Sequence, residues 1–330
     1  MATIAQWDIN NECNLNCKHC RVSEKNDNKK MSLNEAKNLL AQCWYNGITM
    51  LNLSGGEPFL RKDIFDILDY AEKFEDIVIT TNGTLLDEDK CKKLSTYNNI
   101  KLSISLDGLE ETHDKFRRRK GAFKKVIDTL PLLNKYNIKY AIKYTLSKET
   151  AKDAVELLNF IAKMGAKEFN VRRVIVAGNA SKDMVLSNEE YKNIIRELIQ
   201  NCRKLDVKFR TGDPLLIPIF SEVWGIDIKN DDLSKIYAGC QAGDEIIYID
   251  YKGNVGACSY IPKFADNIKE KPLDEILQNN KLFKDLREYK TKLEGKCKNC
   301  TYKMICGGCR ASALALKKSL FAEDPLCLAI

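Results

Sequence analysis

Cys13-Asn14-Leu15-Asn16-Cys17-Lys18-His19-Cys20 directly follows a short apolar run, Ile4–Ile9, that predicts a strand. Its three cysteines have C-x3-C-x2-C spacing, and cysteine thiolates are the usual ligands of iron–sulfur clusters. A [4Fe–4S] cluster held by three thiolates keeps one iron open to another molecule. The alternative is a structural zinc knuckle or three unrelated thiols, because zinc also takes cysteine ligands.

The composition is that of an ordinary globular protein with many cysteines. Hydrophobic residues make up 44% and charged residues 30% of the 330 positions, which is enough for one large domain or two. The net charge of +7 is a mild basic excess, without the interleaved basic and aromatic residues of a nucleic-acid site. No apolar run is long enough to span a membrane, and the N-terminus lacks a signal-peptide pattern.

These features predict a cytoplasmic protein, with no membrane association. Thiols stay reduced in that compartment, so the 13 cysteines indicate metal binding rather than disulfides. The chain has only two histidines, His19 and His113, which argues against hydrolytic or zinc-protease chemistry.

The first two-thirds of the chain alternate between strand and helix patterns, which is typical of a parallel α/β sheet with right-handed crossovers. Six strands are predicted at Ile4–Ile9, Met50–Leu53, Ile77–Thr80, Lys101–Leu106, Lys139–Thr145 and Phe169–Val174. Helices are predicted between them, for example from Ser32 to Tyr45, where Ser32 and Glu35 form a capping box.

Polar and glycine-rich motifs follow several of these strands. Besides the cysteine segment, they are Gly55-Gly56-Glu57-Pro58, Thr81-Asn82-Gly83 and Ser105-Leu106-Asp107-Gly108. The carboxyl ends of parallel strands meet at one end of a barrel, where active sites are built. Glycines there allow the backbone to approach a ligand closely. The sequence therefore predicts one binding site at this end.

Cys13, Cys17 and Cys20, together with these strand-end motifs, resemble the radical S-adenosylmethionine (SAM) superfamily. The resemblance implies a partial (β/α)6 TIM-like barrel and a [4Fe–4S] cluster whose open iron binds SAM. Reductive cleavage of SAM then gives methionine and a 5′-deoxyadenosyl radical, which takes a hydrogen atom from the substrate. The protein itself supplies ligation, orientation and exclusion of water.

The resemblance also implies contacts to SAM. His19 would lie near the adenine, the Gly55–Pro58 motif would contact the amino group, and Ser105 would contact the ribose or methionyl part. Asn82 would face the same mouth, and Arg172 is a candidate for the SAM carboxylate. Asp107 either faces this mouth or caps a helix. No catalytic group is identified, and the candidates are Asp107, Asp244 and Glu245.

The C-terminal part holds a second array of cysteines. They are Cys240, Cys258, Cys297, Cys300, Cys306, Cys309 and Cys327, and a hairpin is predicted between the first two, at 245–258. Paired C-x2-C spacing also suits structural zinc sites. The array resembles the SPASM domain of radical SAM enzymes, except that two rather than three residues separate Cys306 from Cys309.

That resemblance implies two auxiliary [4Fe–4S] clusters, and so three in the chain. One cluster would be held by Cys297, Cys300, Cys306 and Cys327. Cys240, Cys258 and Cys309 would hold the other, nearer the active site. Its fourth ligand would be a carboxylate, Asp244 or Glu245, or its fourth iron would be open.

We therefore predict a radical SAM core at 1–185, a helical bridging segment at 186–236 and a SPASM domain at 237–330. Family members with this domain most often modify ribosomally made peptides, so a peptide is the first expected substrate, with a separate leader-recognition protein. The reductant would be a flavodoxin or a ferredoxin.

The sequence also fits other functions. The motifs Gly307–Ala311 and Ala322–Cys327 also resemble mycofactocin-type and haem-synthesis members. The haem-synthesis members decarboxylate porphyrin propionates, and Arg172, Arg173 and Arg210 are possible partners for propionates. A third alternative is a non-catalytic zinc or iron–sulfur scaffold, which has no need of the Gly55–Pro58 motif.

Overall fold

One mixed sheet organises the chain. The computed structural model describes residues 2–22, 29–224 and 239–329. Its ten strands lie in the order β10-β9-β8-β1-β2-β3-β4-β5-β6-β7. They are β1 (Ile4–Asn10), β2 (Met50–Gly55), β3 (Asp76–Thr81), β4 (Ile100–Ser105), β5 (Lys139–Leu146), β6 (Glu168–Arg173), β7 (Lys208–Arg210), β8 (Ile246–Ile249), β9 (Asn254–Gly256) and β10 (Phe264–Asn267).

Helices connect the first seven strands, and each of these strands pairs in parallel with the next. They are α1 (Leu33–Tyr45), α2 (Ile64–Ala71), α3 (Glu88–Leu94), α4 (Glu110–Arg117), α5 (Ala122–Lys135), α6 (Ala154–Lys163) and α7 (Asn188–Lys204). Apolar side chains of strands and helices, such as Ile9, Leu53 and Leu157, are fully buried between the two layers. The predicted partial barrel is confirmed, and its carboxyl-terminal strand ends form one mouth.

The cysteine-rich C-terminal part is joined to the barrel through the sheet. Strand β8 pairs in parallel with β1, so that Ile4 lies opposite Ile246. Strands β8, β9 and β10 then form an antiparallel meander. The hairpin expected at 245–258 is present, and it continues the barrel sheet. Helix α8 (Ile217–Trp224) precedes this region, and four helices complete it: α9 (Leu273–Asn279), α10 (Lys281–Arg287), α11 (Tyr289–Lys292) and α12 (Arg310–Lys317).

The segment predicted as a helical bridge contains helix α7 and a second helical part after β7. Pro214–Leu216 form a 3-10 turn that leads into α8. Pro214 stands at the start of this turn, where a backbone N–H is not needed, so proline begins helical structure here instead of breaking it. Asp213 caps the turn by accepting the Leu215 N–H at 3.1 Å. The rest of the predicted bridge, 225–236, lies outside the described residues.

None of the helices in the described ranges combines the length and apolar character needed to cross a membrane.

Candidate active site at the mouth of the barrel

The segment that carries Cys13, Cys17 and Cys20 crosses the mouth of the barrel and is fixed by contacts from distant elements. The Lys18 N–H donates to the Phe116 carbonyl at the end of α4 at 3.0 Å. The Lys18 ammonium pairs with Glu149 at 2.8 Å. All three thiols are free of disulfides and line the same cleft.

This cleft has a volume of about 1340 Å³, including the part open to solvent. Most of the predicted SAM contacts line it, namely His19, Gly55, Gly56, Asn82, Ser105 and Arg172. Glu57, Pro58 and Asp107 do not belong to its lining. The strand-end motifs therefore converge as expected, but three of their residues lie behind the surface of the cleft.

The two glycines after β2 allow the chain to pack against its own backbone. A Cβ atom at Gly55 would lie 2.2 Å from the Asn10 carbonyl oxygen, and φ there is +128°. A Cβ atom at Gly56 would lie 1.9 Å from the Glu12 carbonyl oxygen. The close approach that requires glycine is therefore to the strand leading into the cysteine segment, which brings the two motifs together.

Glu57 is fully buried and acts as an acceptor for the neighbouring strand end. Its carboxylate accepts the Thr81 hydroxyl at 2.6 Å and the Asn82 N–H at 2.7 Å. It also accepts the Phe59 N–H at 3.3 Å. Burial raises the pKa of Glu57 to about 7, and these donors oppose the rise. The carboxylate thus supports the mouth from behind, away from the predicted contact with the SAM amino group.

We expect Glu57→Ala to lower the free energy of unfolding by at least about 3 kcal/mol, because each buried donor left without an acceptor costs roughly 1–3 kcal/mol. Anaerobic urea denaturation measures the loss. Glu72→Ala, which removes an exposed carboxylate at the end of α2, is the matched control. Equal stability of the two variants would contradict the supporting role of Glu57.

His19 and Asp107 belong to one buried cluster beside the cysteines. The His19 ring stacks on Phe116, with centroids 4.4 Å apart and planes at 9°. Burial lowers the pKa of His19 to about 3, so its ring is neutral at physiological pH. Asp107 is fully buried, pairs with Arg117 at 2.5 Å and accepts the Thr145 N–H at 2.7 Å.

Neither predicted role of Asp107 is seen. The cap of α4 is Leu109, without a side-chain hydrogen bond, and Asp107 does not line the cleft. Its carboxylate instead fixes the start of α4 against β5 and holds the Arg117 guanidinium. The sequence contains no signal for this pairing, because Arg117 begins a run of four basic residues, 117–120, and such a run is typical of a solvated helix end.

The cations at the mouth fall into two groups. Three arginines are paired: Arg21 with Asp8, Arg117 with Asp107, and Arg173 with Asp213 and Asp324. By contrast, within the described ranges no ion pair joins Lys143 or Arg172 to a carboxylate, and both line the cleft. Arg210 has a side chain that is 58% exposed and does not line the cleft.

Lys143 is a functional candidate that sequence reasoning missed. It lies in β5, between the buried residues Ile142 and Tyr144. Burial, together with the nearby charges of Arg172 and Arg21, lowers its pKa to about 7. A lysine inside an otherwise apolar strand is the signal that would have identified it. Arg172, in β6, lies over the Tyr260 ring at 5.8 Å.

The C-terminal cysteines line two further cavities. One cavity, of about 1090 Å³, contains Cys240, Cys258 and Cys309 and shares Arg172 and Tyr260 with the first cleft. A smaller one is lined by Cys297, Cys300, Cys306 and Cys327. The structure thus separates the cysteines into the same two sets that the sequence resemblance implies.

Asp244 and Glu245 do not line the cavity of the first set. Both are exposed, and Glu245 accepts a hydrogen bond from Gln241. Gln241 and Ala242, which come just before them, do line the cavity. The two predicted carboxylate candidates therefore lie outside this cavity.

Zinc geometry is not seen at these cysteines. Among residues 2–22, 29–224 and 239–329, no group of three or more His, Cys, Asp or Glu side chains is arranged to hold a single metal ion. A tetrahedral zinc site needs its thiolates close together around one ion.

Comparisons with known proteins agree with this arrangement. The Radical SAM superfamily profile matches residues 7–161, and an iron–sulfur cluster-binding domain, SPASM, matches residues 240–301. An AdoMet-dependent heme synthase of Methanosarcina barkeri is 31% identical over 98% of this chain and 95% of that protein. The mycofactocin maturase MftC of Mycolicibacterium smegmatis is 26% identical over 98% of this chain and 81% of that protein.

Among solved structures, Streptococcus suis SuiB bound to its precursor peptide SuiA superposes with a TM-score of 0.83. The superposition covers 99% of this chain and 76% of SuiB at 20% sequence identity, which shows a common fold. The extent of the match to the M. barkeri relative decides the family. The chain is an enzyme of the radical SAM superfamily that uses SAM and iron–sulfur clusters and carries a SPASM domain.

Proposed function

We propose that this enzyme oxidatively decarboxylates the propionate side chains of a tetrapyrrole. The observation that carries the proposal is the pair of cations at the mouth, Lys143 and Arg172, which have no carboxylate partner in the described part of the chain. Both side chains are half-buried, and withdrawing a charge from water is costly unless an anion pairs with it, so the site is suited to carboxylates.

The residues around Cys13, Cys17 and Cys20 fit the cofactor. Three free thiols face one cleft, and no fourth cysteine lines it, so a cluster there would keep an open iron. When bound, the cluster and SAM supply a radical that removes a hydrogen atom from the substrate. His19, Gly55, Gly56, Asn82 and Ser105 line the space next to the thiols and would bind and orient SAM.

Lys143 and Arg172, the two cations without a carboxylate partner in the described part of the chain, would each bind one anion. SAM brings one carboxylate, which leaves one cation for the substrate. Arg172 lines both the first cleft and the cavity of Cys240, Cys258 and Cys309, so we assign it to the substrate carboxylate. Lys143 lines only the first cleft, and we assign the SAM carboxylate to it in place of Arg172.

The overall chemistry needs an electron acceptor. A propionate that becomes a vinyl group loses CO2, one hydrogen atom and one electron. The cavity lined by Cys240, Cys258 and Cys309 adjoins Arg172, and it would hold an auxiliary cluster able to accept that electron. The set of Cys297, Cys300, Cys306 and Cys327 would hold a third cluster.

The similarity to heme synthases supports the same proposal. The heme synthase of M. barkeri is matched over nearly its whole length. A second protein of the same organism, Fe-coproporphyrin III synthase, is 28% identical over 98% of this chain. The test is anaerobic incubation with an iron porphyrin that carries propionates, SAM and a reductant. We expect vinyl products and CO2, each matched by 5′-deoxyadenosine. An unchanged porphyrin beside active SAM cleavage would refute the proposed substrate.

The assignment of Lys143 makes SAM binding dependent on pH. With a pKa of about 7, the Lys143 ammonium is charged below that pH and neutral above it. We expect the Kd for SAM to rise above about pH 7, by up to about tenfold per pH unit, because the SAM carboxylate loses its partner. Lys143→Arg stays charged, so its Kd should lack this increase in anaerobic calorimetry. Parallel pH profiles for the two proteins would contradict the assignment.

A second candidate function is modification of a ribosomally made peptide. It is favoured by similarity to the mycofactocin maturase MftC and to the subtilosin biosynthesis protein AlbA of Bacillus subtilis, at 26% identity over 98% and 95% of this chain. The two candidate functions are distinguished by incubating the enzyme with a peptide and a propionate-bearing porphyrin. The porphyrin should suppress turnover of the peptide if both substrates bind Arg172. An enzyme that modifies peptides should leave the porphyrin itself unchanged.

A further inference from the structure

We propose that Arg117 is a positioning residue that raises the reduction potential of the cluster held by Cys17. Its guanidinium donates to the Cys17 sulfur, with Nη1 3.6 Å from Sγ. The same guanidinium pairs through Nη2 with Asp107 at 2.5 Å. Arg117 is 7% exposed, Asp107 is fully buried and Cys17 is 6% exposed, so solvent does not screen this contact.

The position of Arg117 is fixed by the end of α4. The preceding residue, Phe116, accepts the Lys18 N–H at 3.0 Å and stacks on His19. The helix end therefore holds the cysteine segment at the two residues directly after Cys17, and Arg117 places a positive charge beside the sulfur. Asp107 keeps the guanidinium in orientation through Nη2, the nitrogen that does not contact the sulfur.

The direction of the effect follows from electrostatics. The Arg117 guanidinium places its positive charge 3.6 Å from the Cys17 sulfur. Reduction adds an electron to a cluster that already carries thiolate charge. A fixed cation and a hydrogen bond at a ligand sulfur stabilise the more negative, reduced form. Arginine stays charged at any working pH, so this contribution is permanent.

Two variants separate this role from support of the fold. Arg117→Gln combined with Asp107→Asn removes the cation and its partner together, which leaves no unpaired buried charge. Arg117→Lys keeps a charge but loses the fork that reaches Asp107 and Cys17 together. Arg119→Gln, which removes an exposed charge two residues further along, is the matched control.

The measurement is potentiometry of the anaerobic holoenzyme without substrate, followed by EPR. The reduced-cluster signal that changes when SAM is added identifies the cluster at Cys17. We expect the double variant to lower the equilibrium constant for its reduction at least tenfold, about 59 mV for one electron. Arg117→Lys should fall between the double variant and the wild type, and Arg119→Gln should match the wild type.

A structural role alone predicts a different result. The variants would then contain less iron or unfold more easily, but the potential of their loaded clusters would equal that of the wild type. A wild-type potential in either variant with a complete cluster overturns the proposal. Neither measurement contains substrate, so such a failure would leave the proposed decarboxylation untouched.

Discussion

Cys17→Ala should reduce SAM cleavage to below detection, with loss of the SAM-sensitive cluster signal. Cys17 is one of only three cysteines that line the first cleft, and a cluster with an open iron cannot spare a ligand of this set. Its sulfur is also the one that contacts Arg117, so the substitution removes both a ligand and its stabilising contact. The auxiliary cysteine sets lie in separate cavities and should still be loaded.

The control for this experiment is Cys202→Ala. Cys202 is also buried, in α7, and lines none of the three cysteine cavities. Both variants lose one buried thiol, but only Cys17→Ala should lose 5′-deoxyadenosine formation. Iron content and 5′-deoxyadenosine release are measured on the same anaerobic samples. Wild-type release by Cys17→Ala would show that the N-terminal cysteines are not the site of SAM cleavage.

Arg172→Gln should lower kcat/KM for the carboxylate substrate by at least about 30-fold, since losing one partner of a desolvated charge pair costs roughly 2–5 kcal/mol. Cleavage of SAM without substrate should remain, because we assign the SAM carboxylate to Lys143. The expected phenotype is therefore uncoupling: 5′-deoxyadenosine accumulates while product does not. Chromatography of both products in one reaction gives the ratio.

Arg210→Gln is the matched control for Arg172→Gln. Arg210 ends β7, the strand next to β6, but its side chain is exposed and does not line the cleft. Its variant should keep the coupled ratio of the wild type. If Arg172→Gln also keeps that ratio, then Arg172 does not hold the substrate. If it instead loses SAM cleavage, then Arg172 binds SAM, as the sequence resemblance implied.

The fold was predictable because its signals are local. The strand patterns alternate between buried apolar residues and partly exposed ones, and helical patterns separate them. Polar motifs at Gly55, Asn82 and Ser105 follow strands, and parallel topology alone brings such positions together. The continuation of the sheet into β8 was not predictable, because pairing between residues 4 and 246 has no local signature.

The site was predictable only in part, for the same physical reason. The cysteines carry their chemistry in their spacing, but Asp107 and Glu57 owe their positions to partners brought from other elements. Arg117 looks like a surface charge in the sequence, and only the fold buries it against Cys17. Lys143 has a signal in its strand, but only the fold places it at the cleft. Conversely, Arg173 looks free and is paired with Asp213 and Asp324.

The most direct test of the account is the fate of SAM on the anaerobic, iron-loaded and chemically reduced wild-type protein. We predict that methionine and 5′-deoxyadenosine accumulate in equal amounts, for more than one turnover per chain, and only when reductant is present. The account is contradicted if the reduced protein, with its N-terminal cysteines loaded, returns SAM intact.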